Sequence, residues 1–195
     1  MKTYASLLTL SGLLMLGACD KEDPVQELEQ EVITDVTLTF TELDANGNPT
    51  ATTLSFTASD PEGVELGGNP EIETISGLEA GKSYRLSLDL FNGIANESIT
   101  EEIEEEDAEH QFFFLGSAFD EAFSYVYEDE DADGNPVGLL GTVAVAANAS
   151  GNSVIRVILR HDLDKSNASA QNPNWAEYEQ AGGETDLDVS FPVQF

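Results

Sequence analysis

Two histidines in this sequence each stand directly beside a carboxylate, and these pairs are the residues best suited to hold a metal ion. Glu109 precedes His110, and Asp162 follows His161. Imidazole nitrogens and carboxylate oxygens together form the ligand set of zinc, iron and manganese sites. The alternative is that each histidine ends a strand, half-solvated, and donates a hydrogen bond to its acidic neighbour. A shared metal site requires the fold to bring the two histidines together.

A second candidate cation site lies in the acidic run Tyr127–Asn135, which contains the pattern D-x-D-x-D-G. Carboxylates at alternate positions before a glycine turn can converge on Ca²⁺, so Asp129, Asp131 and Asp133 form a possible calcium loop. The run is not an EF-hand, because Leu140 stands where the bidentate glutamate of that motif belongs. The alternative is a soluble hairpin tip.

The longest irregular segment, residues 162–183, joins two predicted strands and contains the only tryptophan of the chain, Trp175, together with Tyr178. Loops of this length are usually either functional or disordered. We consider both residues as a possible ligand loop. If the loop binds carbohydrate, Trp175 should be exposed beside a concave polar surface.

Catalytic motifs are missing from the sequence. It contains no G-x-S-x-G, no H-E-x-x-H and no phosphate-binding G-x-x-x-x-G-K-[ST] pattern. A glycosidase would need aromatic platforms for its sugar, and one tryptophan is little provision for them. We therefore predict that the protein is not an enzyme.

The charge balance restricts the possible partners. The chain has 38 acidic and 7 basic residues, which gives a formal net charge of −31. Such a field repels nucleic acid and anionic lipid headgroups, and it favours cations or a partner with a basic surface. The alternative is adaptation to salty water, where an acidic surface keeps a protein soluble.

The N-terminus predicts an exported, lipid-anchored protein. In residues 1–18, Lys2 precedes a mostly apolar stretch that is too short to span a bilayer and has the length of a signal sequence. Residues 16–19 read LGAC and resemble the bacterial lipobox, in which Cys19 becomes the acylated N-terminus; the alternative is a plain secretory signal. Cys19 is the only cysteine, so the fold has no disulfide. The acidic residues 19–30 predict a disordered tether.

Localisation follows from the residues after the cysteine. Lys21 is followed by two acids, which resembles the surface-export signal of Bacteroidota lipoproteins. We therefore predict an outer-membrane lipoprotein at the cell surface, anchored by its acyl chains. The alternative is a lipoprotein that faces the periplasm.

Residues 31–195 alternate apolar and polar side chains almost throughout, which predicts β-strands. About nine or ten short strands between turn residues indicate an all-β, antiparallel β-sandwich in one domain, of fibronectin type III or Ig-like character. Leu78 and Tyr84 have the spacing of the fibronectin pattern in which a tyrosine hydroxyl bonds back to the backbone. The consecutive aromatics Phe112, Phe113 and Phe114 cannot all face one side, so at least one must meet a second layer, a loop or a partner.

Four segments, in order, are EEIEEEDAEHQFFF, YEDEDADGNPVGLLGTV, RVILRHDLDK and AGGETDLDVSFPV. Their motifs, EEDxEHQFF, YxDxDxxGxPxGL, LRH and GGETDxDVxF, resemble those of a family of small flavobacterial-type Bacteroidota lipoproteins. The resemblance implies an accessory role beside a TonB-dependent outer-membrane receptor. The motif positions in this chain are Glu109, His110, Asp129, Asp131, Arg160, His161, Glu184, Asp186 and Asp188, and the acids and histidines among them favour a cation site.

Together these observations predict a non-enzymatic, lipid-anchored cell-envelope binding protein that handles a metal cation, with Zn, Fe or Ca as candidates. The predicted metal ligands are His110, His161, Glu109, Asp162 and Glu184. Two alternatives stay open: a receptor-accessory or structural surface lipoprotein without its own ligand, and a carbohydrate-binding module.

Overall fold

The computed structural model describes residues 32–64 and 69–195, so the predicted signal peptide, Cys19 and the tether at residues 19–30 lie outside it. The strands are β1 (Asp35–Leu43), β2 (Pro49–Ser59), β3 (Glu71–Ile72), β4 (Ile75–Ser76), β5 (Ser83–Asn92), β6 (Glu97–Ser98), β7 (His110–Leu115), β8 (Phe123–Tyr127), β9 (Leu140–Val145), β10 (Asn152–His161) and β11 (Glu184–Gln194). The helices are α1 (Ile99–Glu105) and α2 (Ala118–Glu121), with short 3-10 helices at Ala168–Gln171 and Tyr178–Ala181. Within the described ranges, no helix has the length and hydropathy that crossing a membrane requires.

The strands form two sheets. The larger has seven strands in the order β3-β2-β1-β5-β9-β8, with β6 paired to β5, and the smaller has the order β4-β11-β10-β7. Neighbouring strands are antiparallel except β4 and β11, which run parallel over two residue pairs. The structure agrees with the predicted all-β class. Its described residues form eleven strands where the sequence predicts about nine or ten, and three of the eleven, β3, β4 and β6, are only two residues long.

Alternation along the strands produces a core that both sheets share. Leu38 on β1 and Leu86 on β5 are fully buried in the same cluster as Phe112 on β7, Val157 on β10 and Phe191 on β11. Successive residues of a strand point to opposite faces, so each of these strands turns one face toward the shared core.

The predicted tyrosine contact is present. The backbone N–H of Glu79 donates a hydrogen bond of 2.9 Å to the hydroxyl of Tyr84. Leu78 and Tyr84 are both buried in the shared core. This contact ties the turn before β5 to the strand itself.

Two predicted strands are partly helical. The sequence pattern of residues 98–103 predicts a strand, but these residues belong mostly to α1. Ser98 caps this helix by accepting a hydrogen bond from the backbone N–H of Glu101, and Ile99 and Ile103 are buried one turn apart. Ser98 and Glu101 form the S-x-x-E pattern of a helix start, and the apolar spacing of four residues is helical. The sequence pattern of residues 119–127 also predicts a strand, but β8 begins only at Phe123, after α2.

The three consecutive phenylalanines divide between two cores, which confirms that one of them meets a second layer. Phe112 and Phe114 enter the shared core, whereas Phe113 faces the opposite side of the smaller sheet. There it packs against residues 162–183, which fold over the sheet as a cover, called the outer loop below. The buried residues of this second core are Phe113, Ile158, Leu163, Ala170, Trp175, Tyr178 and Ala181.

Candidate metal centre

The fold brings the two histidines together. His110 begins β7 and His161 ends β10, and the antiparallel register places them opposite each other. Directly opposed residues share one face of a sheet, and the two rings stack with centroids 4.5 Å apart and planes 18° from parallel. The condition for a shared site, that the histidines be neighbours, is therefore met.

His161 lies among three carboxylates. Its Nε2 is 3.5 Å from Oε2 of Glu109 and 3.8 Å from Oδ1 of Asp162. Its Nδ1 is 3.9 Å from Oδ2 of the buried Asp186. A tetrahedral zinc ion about 2.0–2.2 Å from each ligand atom holds those atoms roughly 3.3–3.6 Å apart. The spacing of Glu109, His161 and Asp162 is thus close to what one such ion needs.

Backbone contacts set this spacing. The N–H of Asp162 donates to the carbonyl of Glu109 at 2.9 Å, which ties the two acidic residues across the end of the sheet. Asp162 has a φ of 56°, in the left-handed region that aspartate tolerates better than most residues. Gly183 also has a positive φ, and a Cβ there would lie 2.0 Å from the carbonyl oxygen of His161. Gly183 of the GGETD motif is therefore required by close backbone packing against the site, whereas Gly182 has a positive φ but open space around it.

A second arrangement of ligands shares His161. Glu106, His110 and His161 can also bring one ligand atom each to within 4.8 Å of one another. The stacked rings are nearly parallel, so their in-plane lone pairs do not converge on one point. His110 is fully buried, with Nδ1 3.2 Å from the carbonyl oxygen of Glu106. His110 is therefore the stacking neighbour of His161, and Glu109, His161 and Asp162 are the group better arranged to hold a metal ion.

Solvent reaches the site from one side. The side chains of His161, Glu109 and Asp162 are 19%, 55% and 48% exposed, whereas that of Asp186 is 4% exposed. A dissolved cation can enter without unfolding the protein. Glu184 lies opposite His161 on β11, but it is in neither of the two candidate metal-binding groups found among the described residues.

The possible calcium loop is occupied by protein donors. The carboxylate of Asp129 accepts the backbone N–H groups of Gly138 and Leu140 at 2.8 and 2.9 Å. Burial raises the pKa of Asp129, and these hydrogen bonds oppose the rise only in part. Oδ2 of Asp131 lies 2.9 Å from Nζ of Lys165, whose positive charge would repel Ca²⁺. Asp129 and Asp131 therefore hold the turn and the outer loop in place. Asp133 is then the only carboxylate of the predicted calcium loop left to bind an ion, and one carboxylate does not make a calcium site.

The same turn occurs a second time in the chain. Oδ1 of Asp44 accepts the backbone N–H groups of Asn46 and Asn48 at 2.8 and 2.9 Å. Oδ1 of Asp131 accepts those of Asp133 and Asn135 at 3.0 and 2.8 Å. This is the local hydrogen bonding by which aspartate starts a turn, so the D-A-x-G-N-P pattern is explained without an ion.

No sequence motif singles out Lys165. Its ammonium group is buried and donates to the carbonyls of Asp107 and His110 at 2.7 and 3.0 Å, in addition to its ion pair with Asp131. These bonds fasten the outer loop to the strand that bears His110. One signal was available, because Lys165 is the only lysine or arginine after Arg160.

The exposed Trp175 that carbohydrate binding through this loop would require is not found. Trp175 is buried and meets the ring of Phe113 edge-on, with centroids 6.3 Å apart. Tyr178 stacks on the ring of Phe113, with centroids 5.8 Å apart. Both aromatic residues of the possible ligand loop are thus part of the second core, and neither offers a platform for a sugar.

The other motif residues have structural contacts. The guanidinium of Arg160 donates to the carbonyls of Gly182 and Gly183 and thereby holds the end of the outer loop. Arg156 forms a two-pronged ion pair with Asp188, and this hydrogen-bonded carboxylate raises the pKa of Arg156. The resemblance motifs therefore combine residues of the candidate site with residues that fasten its surroundings.

Comparison with known proteins yields no matching family model, no matching curated protein and no matching solved structure.

Proposed function

We propose that this chain is a non-enzymatic, lipid-anchored cell-envelope protein that binds a divalent transition metal ion of the zinc or iron type. The ligands would be Glu109, His161 and Asp162. The observation that carries the proposal is the placement of two carboxylate oxygens 3.5 and 3.8 Å from Nε2 of one half-buried imidazole. The mixed nitrogen and oxygen set suits zinc, iron or manganese better than calcium, which takes oxygen ligands.

Asp186 supports this assignment from behind the imidazole. Metal-binding histidines usually donate their other ring N–H to a carboxylate or carbonyl, which fixes the tautomer and the ring orientation. Oδ2 of Asp186 lies on the Nδ1 side of His161, so a proton on Nδ1 leaves the lone pair of Nε2 directed at Glu109 and Asp162. Three protein ligands on an open surface leave a coordination position for water or for a group of a partner.

Calorimetric titration with Zn²⁺, Fe²⁺, Mn²⁺ and Ca²⁺, before and after chelation, tests the metal site. We expect a one-to-one heat with Zn²⁺ or Fe²⁺ that His161→Ala abolishes, because this change removes the only nitrogen ligand. Asp186→Asn should weaken the affinity about 10–100-fold, the usual effect of altering a residue behind a metal ligand. The matched control is Asp120→Asn, which removes one exposed carboxylate on α2 and should leave binding unchanged.

A different result would favour the other function class. If all four cations bind weakly, with a salt-sensitive heat that His161→Ala does not alter, the acidic groups are only a solvated surface. The protein would then be a receptor-accessory or structural lipoprotein without a ligand of its own. The family resemblance suggests a TonB-dependent outer-membrane receptor as the partner in either case.

We also infer that the two sheets pack as a β-sandwich of fibronectin type III or Ig-like character. The shared core and the hydrogen bond between Tyr84 and Glu79 support this inference, since a tyrosine bonded back to the preceding turn is a hallmark of such domains.

Lipid attachment is tested by growing cells with labelled palmitate. We expect the label on the wild-type chain in the outer-membrane fraction, because the LGAC sequence resembles a lipobox. Cys19→Ser should remove the label, since it replaces the acylated sulfur, and should release the protein from that fraction. A labelled Cys19→Ser chain, or an unlabelled wild-type chain, would contradict the lipobox interpretation.

A further inference from the structure

Glu109 differs from the other two proposed ligands in the way the fold places it. His161 ends β10 and Asp162 follows it directly, so the strand places both of them. Glu109 lies instead in the turn at residues 106–109, which connects α1 to β7. Its side chain is 55% exposed, so little packing holds it. The position of its carboxylate therefore depends on the backbone of this turn.

Lys165 binds the turn on either side of Glu109. Its ammonium group donates to the carbonyl of Asp107 at 2.7 Å and to the carbonyl of His110 at 3.0 Å. The backbone N–H of Glu109 donates to the carbonyl of Glu106 at 2.9 Å and closes the turn. The ammonium group thus fixes the backbone before and after the residue whose carboxylate faces His161.

The ammonium group itself has one well-defined position. Its third contact is the carboxylate of Asp131, with Nζ 2.9 Å from Oδ2, and the two side chains are 4% and 2% exposed. A lysine ammonium has three donors, and the two carbonyls and this carboxylate use all three. Any displacement would leave a buried charge without a partner, which is strongly unfavourable. Lys165 is therefore a rigid support for the turn.

We propose that Lys165 is a positioning residue of the metal site, which holds the turn so that the carboxylate of Glu109 stays beside Nε2 of His161. Lys165 does not touch the ion. The inference rests on the proposed metal site and deepens it, because it gives the outer loop, which carries Lys165, a part in metal binding.

The effect of position on metal affinity can be separated from the effect of charge. The ammonium group of Lys165 repels a cation, and its removal leaves Asp131 with an unpaired negative charge. Both consequences of Lys165→Met therefore favour the binding of a divalent cation. A loss of affinity in this variant has the opposite sign and comes from the displaced turn.

Calorimetric titration of the purified chain with Zn²⁺ tests the proposal. We expect Lys165→Met to weaken binding about 10–100-fold, the usual effect of changing a residue that supports a metal ligand. The matched control is Lys82→Met, which removes the same charge from ion pairs with Glu42 and Glu79 and should leave the affinity unchanged.

A second variant keeps the test valid if Lys165→Met folds poorly. Lys165→Met combined with Asp131→Asn leaves no unpaired charge, but it still lacks both bonds to the turn. It should therefore bind Zn²⁺ as weakly as Lys165→Met alone. Affinity restored to the wild-type value in this double variant overturns the proposal, because the unpaired charge and not the turn would then cause the loss.

A cycle with Glu109→Ala distinguishes positioning from general loosening of the fold. Once the carboxylate is gone, Lys165 has no ligand to position, so adding Lys165→Met to Glu109→Ala should change the affinity by less than about twofold. A loss of full size in the Glu109→Ala background overturns the proposal, because Lys165 would then act through another ligand. Equally tight binding by the wild type and Lys165→Met also overturns it and leaves the metal site intact. A wild-type chain that does not bind Zn²⁺ refutes the metal site and this inference together.

Discussion

Replacing Lys165 by methionine is expected to lower the free energy of unfolding by about 3–5 kcal/mol, the usual result of removing one partner from a buried ion pair. The side chains of Lys165 and Asp131 are 4% and 2% exposed, with Nζ 2.9 Å from Oδ2. The change leaves a buried carboxylate without its cation and two carbonyls, of Asp107 and His110, without their donor. Chemical denaturation at neutral pH measures the difference.

Asp131→Asn is the matched control for this prediction. The double variant, Lys165→Met with Asp131→Asn, should be more stable than the sum of the two single changes predicts, because it leaves no unpaired charge. Additive effects would show that the two side chains do not interact.

The pH dependence gives a second check. Burial raises the pKa of Asp131, but hydrogen bonds from Asn135 and the nearby Lys165 outweigh this effect and leave the pKa below its ordinary value of 3.8. A carboxylate with a lowered pKa stabilises the fold above the ordinary value, and this stabilisation is lost as the pH falls through the lowered value. The wild type should therefore lose stability below about pH 4. The penalty of Lys165→Met should shrink over the same range.

Phe113→Ala is expected to destabilise the protein by about 3–5 kcal/mol, the range measured when a buried aromatic side chain is truncated. Phe113 is fully buried and packs against the rings of both Trp175 and Tyr178. The cavity left behind lies directly under the outer loop, so the loop should detach more readily than the sheets separate. Trp175 is the only tryptophan, and its fluorescence should shift to longer wavelength in the variant as the ring meets water.

Val126→Ala is the control for Phe113→Ala. Val126 is a 63% exposed residue of β8, and a surface change of this kind should alter stability by no more than about 0.5 kcal/mol. If Phe113→Ala leaves both stability and the emission of Trp175 unchanged, the second core does not hold the loop.

The strands were predictable because burial on one face imposes a period of two. Alternation at Val36, Leu38 and Phe40 marks β1 correctly, and the D-A-N-G-N-P turn marks the hairpin that follows. α1 was misassigned because a seven-residue helix has only one pair of buried residues, Ile99 and Ile103. A pair spaced by four residues also fits a period of two, and the cap at Ser98 was the deciding signal.

The candidate site was predictable in composition but not in arrangement. The types of Glu109, His110, His161 and Asp162 indicate metal chemistry, yet the sequence does not contain the register that opposes His110 and His161. The pairing of β10 with β11 becomes irregular after Leu159 and leaves Asp186 without an opposite residue. No pattern in the sequence predicts this irregularity either. Such pairings depend on contacts far apart in the chain, whereas sequence patterns report local ones.

The outer loop connects two strands, β10 and β11, that are already hydrogen-bonded neighbours. An evolving or engineered chain could therefore replace the loop by a tight turn without disturbing the order of the sheet. The exchange would nevertheless expose Phe113 and Ile158 and leave Asp131 without its cation. The length of the loop and the residues at these three positions must therefore change together. Among related chains, we expect those with a short connection between β10 and β11 to have polar residues at positions 113 and 158 and a neutral residue at position 131.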